Sequence, residues 1–99
     1  MSRSRTGYPD RPCAPTWTPA ERLMVALGRE LHEARTRAGL SRFEVATDLD
    51  VTISTLQSYE VGRRWIPIPR LLDLCVILDA APGMILRNAK VRSEWLEPG

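Results

Sequence analysis

Arginine dominates the chemistry that this sequence offers. Of fourteen basic side chains one is lysine, Lys90, and the rest are arginine, while the chain holds a single histidine, His32, and two cysteines, Cys13 and Cys75. Planar guanidinium forks suit paired recognition of carboxylate or phosphate oxygens. A GC-rich coding sequence would produce the same bias, and the two readings are compatible. Cys13 lies in a proline-rich stretch and Cys75 in an apolar helical pattern, so neither a disulfide nor a metal cluster is expected. No nucleophile–base pair, carboxylate pair or glycine-rich phosphate loop occurs. The expectation is a protein that is not an enzyme and has no cofactor and no metal site. His32, without a placed partner, reads as a surface residue.

The chain has 99 residues, 43% hydrophobic and 26% charged, with a net charge of +2. That suits one globular domain with one core. The longest near-apolar run, Leu71 to Leu78, is interrupted by Asp73, so no membrane span is expected. The first residues carry no apolar stretch behind their arginines and do not resemble a secretory leader, which makes the cytoplasm the expected location.

The elements that would position the arginines are all helical. Residues 1–17 contain Pro9, Pro12 and Pro15 and read as a disordered, arginine- and proline-containing tail. Thr18-Pro19-Ala20-Glu21 has the form of a capping box with proline at the first helical position. It opens a helix with an apolar stripe of Leu23, Leu27, Leu31, Ala34 and Ala38, which Gly39 is placed to stop. Ser41-Arg42-Phe43-Glu44 is a second capping box, starting a short helix with Val45, Ala46 and Leu49 inward. After a turn at Asp50-Val51, Thr52 can cap a third helix carrying Leu56 and Tyr59 and ended by Gly62. Two prolines keep Arg63–Pro69 extended. Pro69 can start a fourth helix with Leu71, Leu72, Cys75 and Leu78 inward, and Pro82 a fifth with Ile85, Leu86 and Ala89. Residues 18–89 form the expected domain, and 90–99, which show no period, the expected C-terminal tail.

Residues 41–62 thus hold two short helices joined by a turn of about three residues, the geometry of a helix-turn-helix. Packing constrains three positions. Ala46 must be small where the second helix crosses, Asp50 sits where the turn wants a left-handed residue, and Leu56 fills the crevice between helices. The run Leu27-Gly28-Arg29-Glu30-Leu31, Arg35, Ala38-Gly39-Leu40-Ser41 and Glu44-Val45-Ala46 resembles the opening of a Cro/C1-repressor (XRE) helix-turn-helix domain. So does Val51-Thr52-Ile53-Ser54-Thr55-Leu56, Tyr59-Glu60-Val61-Gly62-Arg63-Arg64, Pro67 and Leu71-Leu72-Asp73-Leu74. The resemblance covers roughly residues 22–88.

The resemblance implies an all-α, five-helix fold and a sequence-specific, double-stranded-DNA-binding transcriptional regulator, a repressor by preference, working as a homodimer. It sets the helix that starts at Thr52 in the major groove, with Thr52, Ile53, Ser54, Gln57 and Ser58 facing bases. It gives Arg42, Arg63 and Arg64 to phosphates, and Arg35 and Glu60 to a structural ion pair. Association with the nucleoid would follow from DNA binding. The family often has glutamine at the positions of Arg42 and Ile53, and glycine at that of Asp50, where Asp costs about 1 kcal/mol. No Arg or Lys lies between Thr52 and Glu60, and Gln57 pairs best with adenine, so a site leaning towards A·T is expected. From Arg35 to Arg70 six arginines face four acids, and pairing Arg35 with Glu60 leaves five against three.

Two other readings stand beside this one: the antitoxin of a toxin–antitoxin pair, or a protein-interaction module that has lost DNA binding, with a protein partner reached through the tails. Arg3 and Arg5 read as solvated, or as a minor-groove arm. Trp65 reads as a cap on the core beside Pro67, or as a residue near the DNA backbone. Trp17 should cover the start of the first helix. Trp95 and Leu96 could pack back, join copies or bind a partner.

Overall fold

Capping sets the start of each of the first three helices in the computed structural model, which describes residues 17–96. Helix α1 spans Pro19–Arg37; Thr18 Oγ1 accepts from Glu21 N at 3.1 Å and Glu21 Oε1 accepts from Thr18 N at 2.8 Å. Helix α2, Arg42–Leu49, repeats the arrangement with Ser41 and Glu44. The Ser41 backbone and hydroxyl hold the exposed Glu44 carboxyl below its ordinary pKa. Helix α3 spans Ile53–Glu60, α4 Ile68–Ile77 and α5 Pro82–Glu94. Among the described residues there is no strand, and no helix is long and apolar enough to cross a membrane. The expected tail at residues 1–17 falls outside the described residues except for Trp17. That residue is buried at the start of α1, its carbonyl accepting from Arg22 Nη1 at 3.0 Å.

Leu27, Leu31 and Ala34 of α1, Val45, Ala46 and Leu49 of α2, and Leu56 and Tyr59 of α3 share one core with residues of α4 and α5. Helix α1 lies against both α5 and α3. It crosses α3 so closely that a Cβ at Gly28 would stand 2.5 Å from the carbonyl oxygens of Tyr59 and Glu60. Asp50 takes the left-handed conformation at the end of α2, φ 60° and ψ 46°. Asp79 does the same after α4, with φ 53°.

The inward faces of the last helices differ from the sequence expectation. In α4 the buried residues are Leu71, Leu74 and Cys75, with Leu78 following, and Leu72 points to solvent. In α5 Ile85 and Ala89 are buried and Leu86 is exposed; Ala38 is also exposed. Each mislaid residue is apolar but sits on the flank of a helix whose rotation is set by its neighbours rather than by its own pattern. Trp65 is half-exposed, and the neighbouring Ile66 fills the core position beside Pro67.

Helix α5 runs to Glu94, five residues past the expected end of the domain at 89. Polar contacts that have no hydrophobic period hold this extension. Arg92 Nε donates to the buried Glu30 at 2.8 Å, and Arg92 Nη2 donates to Glu33 at 2.8 Å, tying the end of α5 to α1. Lys90 pairs with Glu94 one turn on. Leu96 packs against the core and Trp95 is exposed.

Candidate nucleic-acid interface

Helices α2 and α3 are joined at Asp50–Thr52, a tight turn in which Val51 N donates to Ala46 O at 3.0 Å. Packing decides which side of α3 is free. Leu56, Tyr59 and Glu60 are buried, whereas Thr52, Ile53 and Ser54 are exposed and Gln57 and Ser58 half-exposed. Ser54, Gln57 and Ser58 lie at i, i+3 and i+4 and so share one face. That face carries hydroxyls and one amide, groups able to donate and accept. Thr52 Oγ1 is the helix cap, accepting from Thr55 N at 3.0 Å and donating to Thr55 Oγ1 at 2.8 Å. Its hydroxyl is therefore committed locally, unlike those of Ser54 and Ser58.

Behind this face sits a cluster of ions that the sequence reading resolved only in part. Glu60 ends α3 with its side chain 2% exposed. Arg35 Nε donates to its Oε2 at 2.7 Å and Arg35 Nη2 to its Oε1 at 3.2 Å. Arg42 Nε donates to the same Oε1 at 3.0 Å, and His32 Nδ1 lies 3.1 Å from it. Burial raises the Glu60 pKa, but the hydrogen bonds from Arg35, His32 and Arg42 outweigh it and hold the carboxyl below its ordinary range. Arg35 Nη1 also donates to Leu40 O at 2.8 Å, which anchors the loop before α2.

His32 is exposed, as expected of a surface residue, but it does have a partner, its ring joining the shell of the buried carboxylate. The signal was present in its spacing, three residues before Arg35 on one helical face, but its partner Glu60 is 28 positions away. Arg42 touches Glu60 while keeping about a third of its side chain exposed at the start of α2. Arg63 and Arg64 are exposed just after α3, where Gly62 turns the chain with φ 79°. Arg70 is otherwise engaged: its Nη1 donates to Leu49 O at 2.9 Å, satisfying a carbonyl at the end of α2 and placing a cation where that helix dipole is negative. Arg35, Arg42 and Arg70 therefore each serve an intramolecular contact.

Comparison with known proteins agrees with this geometry. The helix-turn-helix domain family matches residues 26–87. The chain is 30% identical to a crystal structure of the clp gene regulator ClgR of Corynebacterium glutamicum, covering 68% of this chain and 87% of that one with a TM-score of 0.65. A second ClgR structure is 27% identical over 74% of this chain and 78% of that one, with a TM-score of 0.71. The restriction-modification controller protein C.AhdI of Aeromonas hydrophila is 31% identical over 63% of this chain and 94% of that one, with a TM-score of 0.60. No curated protein sequence matches. The chain belongs to the helix-turn-helix domain family, as a DNA-binding regulator of the XRE type.

Proposed function

We propose that the protein is a sequence-specific repressor that binds duplex DNA as a homodimer, with α3 in the major groove. The observation that carries the reading is the face of Ser54, Gln57 and Ser58, polar and accessible on a helix whose opposite side is locked into the core. In this docking Thr52 and Ile53 complete the base-facing set, Ile53 packing on a thymine methyl and Gln57 pairing with adenine. Arg42, Arg63 and Arg64 reach backbone phosphates on either side. One such module makes few phosphate contacts and binds weakly on its own, and two copies on a two-fold site remedy that. The second copy has a candidate seat. Ile68, Leu72 and Val76 form an outward apolar stripe at i, i+4 and i+8 on α4, exposed by 61%, 47% and 80%.

Selection of bound sequences from a random duplex library tests the reading. An inverted repeat with A·T-rich half-sites about one helical turn apart is the expected product. Failure to enrich any motif with folded protein would refute it. A protein partner is the second reading, favoured by the exposed Met84 and Val91 on one face of α5 and the exposed Trp95 just past its end. Co-purification of a stoichiometric partner through that face, with no duplex binding, would replace the first reading.

A further inference from the structure

Arg35 and Arg42 meet the same carboxylate in different ways. Arg35 lies side-on, Nε donating to Glu60 Oε2 at 2.7 Å and Nη2 to Oε1 at 3.2 Å, while its Nη1 donates to Leu40 O at 2.8 Å. Each of its nitrogens has a partner inside the protein and the side chain is largely buried, so nothing is left for a ligand. Arg42 touches Oε1 through Nε alone, at 3.0 Å. No other hydrogen bond or ion pair engages its side chain among the described residues, and about a third of that side chain is exposed. Its terminal nitrogens, Nη1 and Nη2, therefore keep their four N–H donors unused.

The anchor that holds Arg42 is rigid. Glu60 is buried, and Arg35 engages both of its oxygens. A long arginine side chain loses rotamer freedom when a ligand fixes it; a hydrogen bond at Nε fixes most of the stem beforehand. Glu60 also lies three residues after Gln57 on α3, one turn along the helix. The tether therefore sets a side chain of α2 in register with the polar face of α3. Charge points the same way. One carboxylate balances one of the two guanidinium groups, so the trio of Arg35, Arg42 and Glu60 keeps a net positive charge, and the outward end of Arg42 is where an anion would meet it.

We propose that Glu60 is a positioning residue for DNA: it holds Arg42 by Nε and so presents Nη1 and Nη2, already set, to one backbone phosphate. The inference rests on the DNA-binding reading above and gives Glu60 a part in that contact beyond its structural pair with Arg35. Two consequences separate this role from that of a plain surface cation. Lysine cannot replace Arg42, because an ammonium has no second nitrogen to leave on the carboxylate while its tip reaches a phosphate. Removal of the Glu60 charge weakens DNA binding, whereas loss of a negative charge would by bulk electrostatics alone strengthen it.

The test is a double-mutant cycle on the dissociation constant for a mixed-sequence duplex at fixed ionic strength. It uses the full chain as wild type, Arg42→Gln, Glu60→Gln and the double variant, with Arg42→Lys beside them. A phosphate contact is blind to sequence, so no operator is needed. Arg42→Gln should raise Kd by about tenfold, and Arg42→Lys should recover little of that loss. Glu60→Gln should raise Kd by about threefold or more when Arg42 is present, and leave it unchanged or lower when residue 42 is already glutamine. Circular dichroism at the binding temperature establishes that each variant is folded; if Glu60→Gln is not, Arg42→Lys against Arg42→Gln decides alone. Wild-type affinity in Arg42→Lys, tighter binding by folded Glu60→Gln, or equal losses from Glu60→Gln in both backgrounds would overturn the positioning role and leave the DNA reading intact. Absence of duplex binding by the folded wild type would sink the DNA reading and this role with it.

Discussion

Gly28→Ala sets a local preference against a tertiary contact. Within an isolated helix, alanine is favoured over glycine by about 1 kcal/mol, so propensity alone makes this a stabilising change. The structure reverses the sign. The new Cβ would meet Glu60 O and Tyr59 O at 2.5 Å and Glu60 C at 2.8 Å. Relief to an ordinary contact of 3.4 Å needs a displacement of 3.4 − 2.5 = 0.9 Å. The obstructing atoms belong to the backbone of α3, so no rotamer change can supply it; the helices must part. Overpacking of a core costs typically about 1–3 kcal/mol, occasionally more, and a backbone-to-backbone clash belongs at the upper end. The net loss should be about 2 kcal/mol after the gain in propensity. For a domain of this size each kcal/mol moves Tm by about 4–8 °C, so a fall of about 8–16 °C is expected in a thermal melt followed by circular dichroism. Gly83 is the control, because a Cβ there meets nothing within 4 Å, and Gly83→Ala should melt at or above the wild-type temperature. A Gly28→Ala protein as stable as wild type would refute the account of the α1–α3 crossing and of the geometry that presents Glu60.

Asp50→Gly should raise stability by about 0.5–1 kcal/mol in urea denaturation, because φ is 60° there and glycine enters that region freely; a loss would mean that the Asp side chain contributes more than its backbone strain costs. Glu60→Gln should cost about 2–4 kcal/mol near neutral pH, the buried carboxylate being the common partner of three side chains. The folded carboxyl titrates below its ordinary value of 4.5, so its contribution is complete above that pH and is lost as the pH falls through the folded value. The gap between wild type and Glu60→Gln should therefore narrow as the pH is taken down below 4.5 and the folded carboxyl protonates, and a gap that keeps its neutral-pH size throughout acid titration would contradict the charge account. Arg92→Leu should destabilise by about 2–4 kcal/mol by stranding Glu30, and adding Glu30→Leu should restore much of it. On DNA, Gln57→Ala should relax preference at one base position, while Arg64→Ala should weaken binding to all sequences and reduce the salt slope by about one.

Much of the fold was legible because it is written in local signals. The two capping boxes, the cap at Thr52 and the glycines at 39 and 62 act within a few residues, and each element they bound falls within one or two positions of expectation. The left-handed turn at Asp50 and the burial of Ala46 and Leu56 follow from the same short-range geometry. The rotation of α4 and α5 was less legible, since Leu72 and Leu86 look as apolar as Leu74 and Ile85. The last turn of α5 carries no hydrophobic period, its anchors being an arginine and two glutamates 59 and 62 positions away.

The order of the helices, their starts and the polar face of α3 were determined by the sequence itself, because caps, turns and a 3.6-residue period need only neighbouring residues to act. Tertiary structure alone decided that Gly28 touches the backbone of α3, that Arg70 closes the end of α2, and that His32, Arg35 and Arg42 meet on Glu60. Those contacts join residues 18 to 32 positions apart, and an arginine's reach is the same whether it ends on a phosphate or a carboxylate. Only the crossing of α1, α2 and α3 brings the buried carboxylate to the arginines, and with it the histidine that competes for the same oxygen.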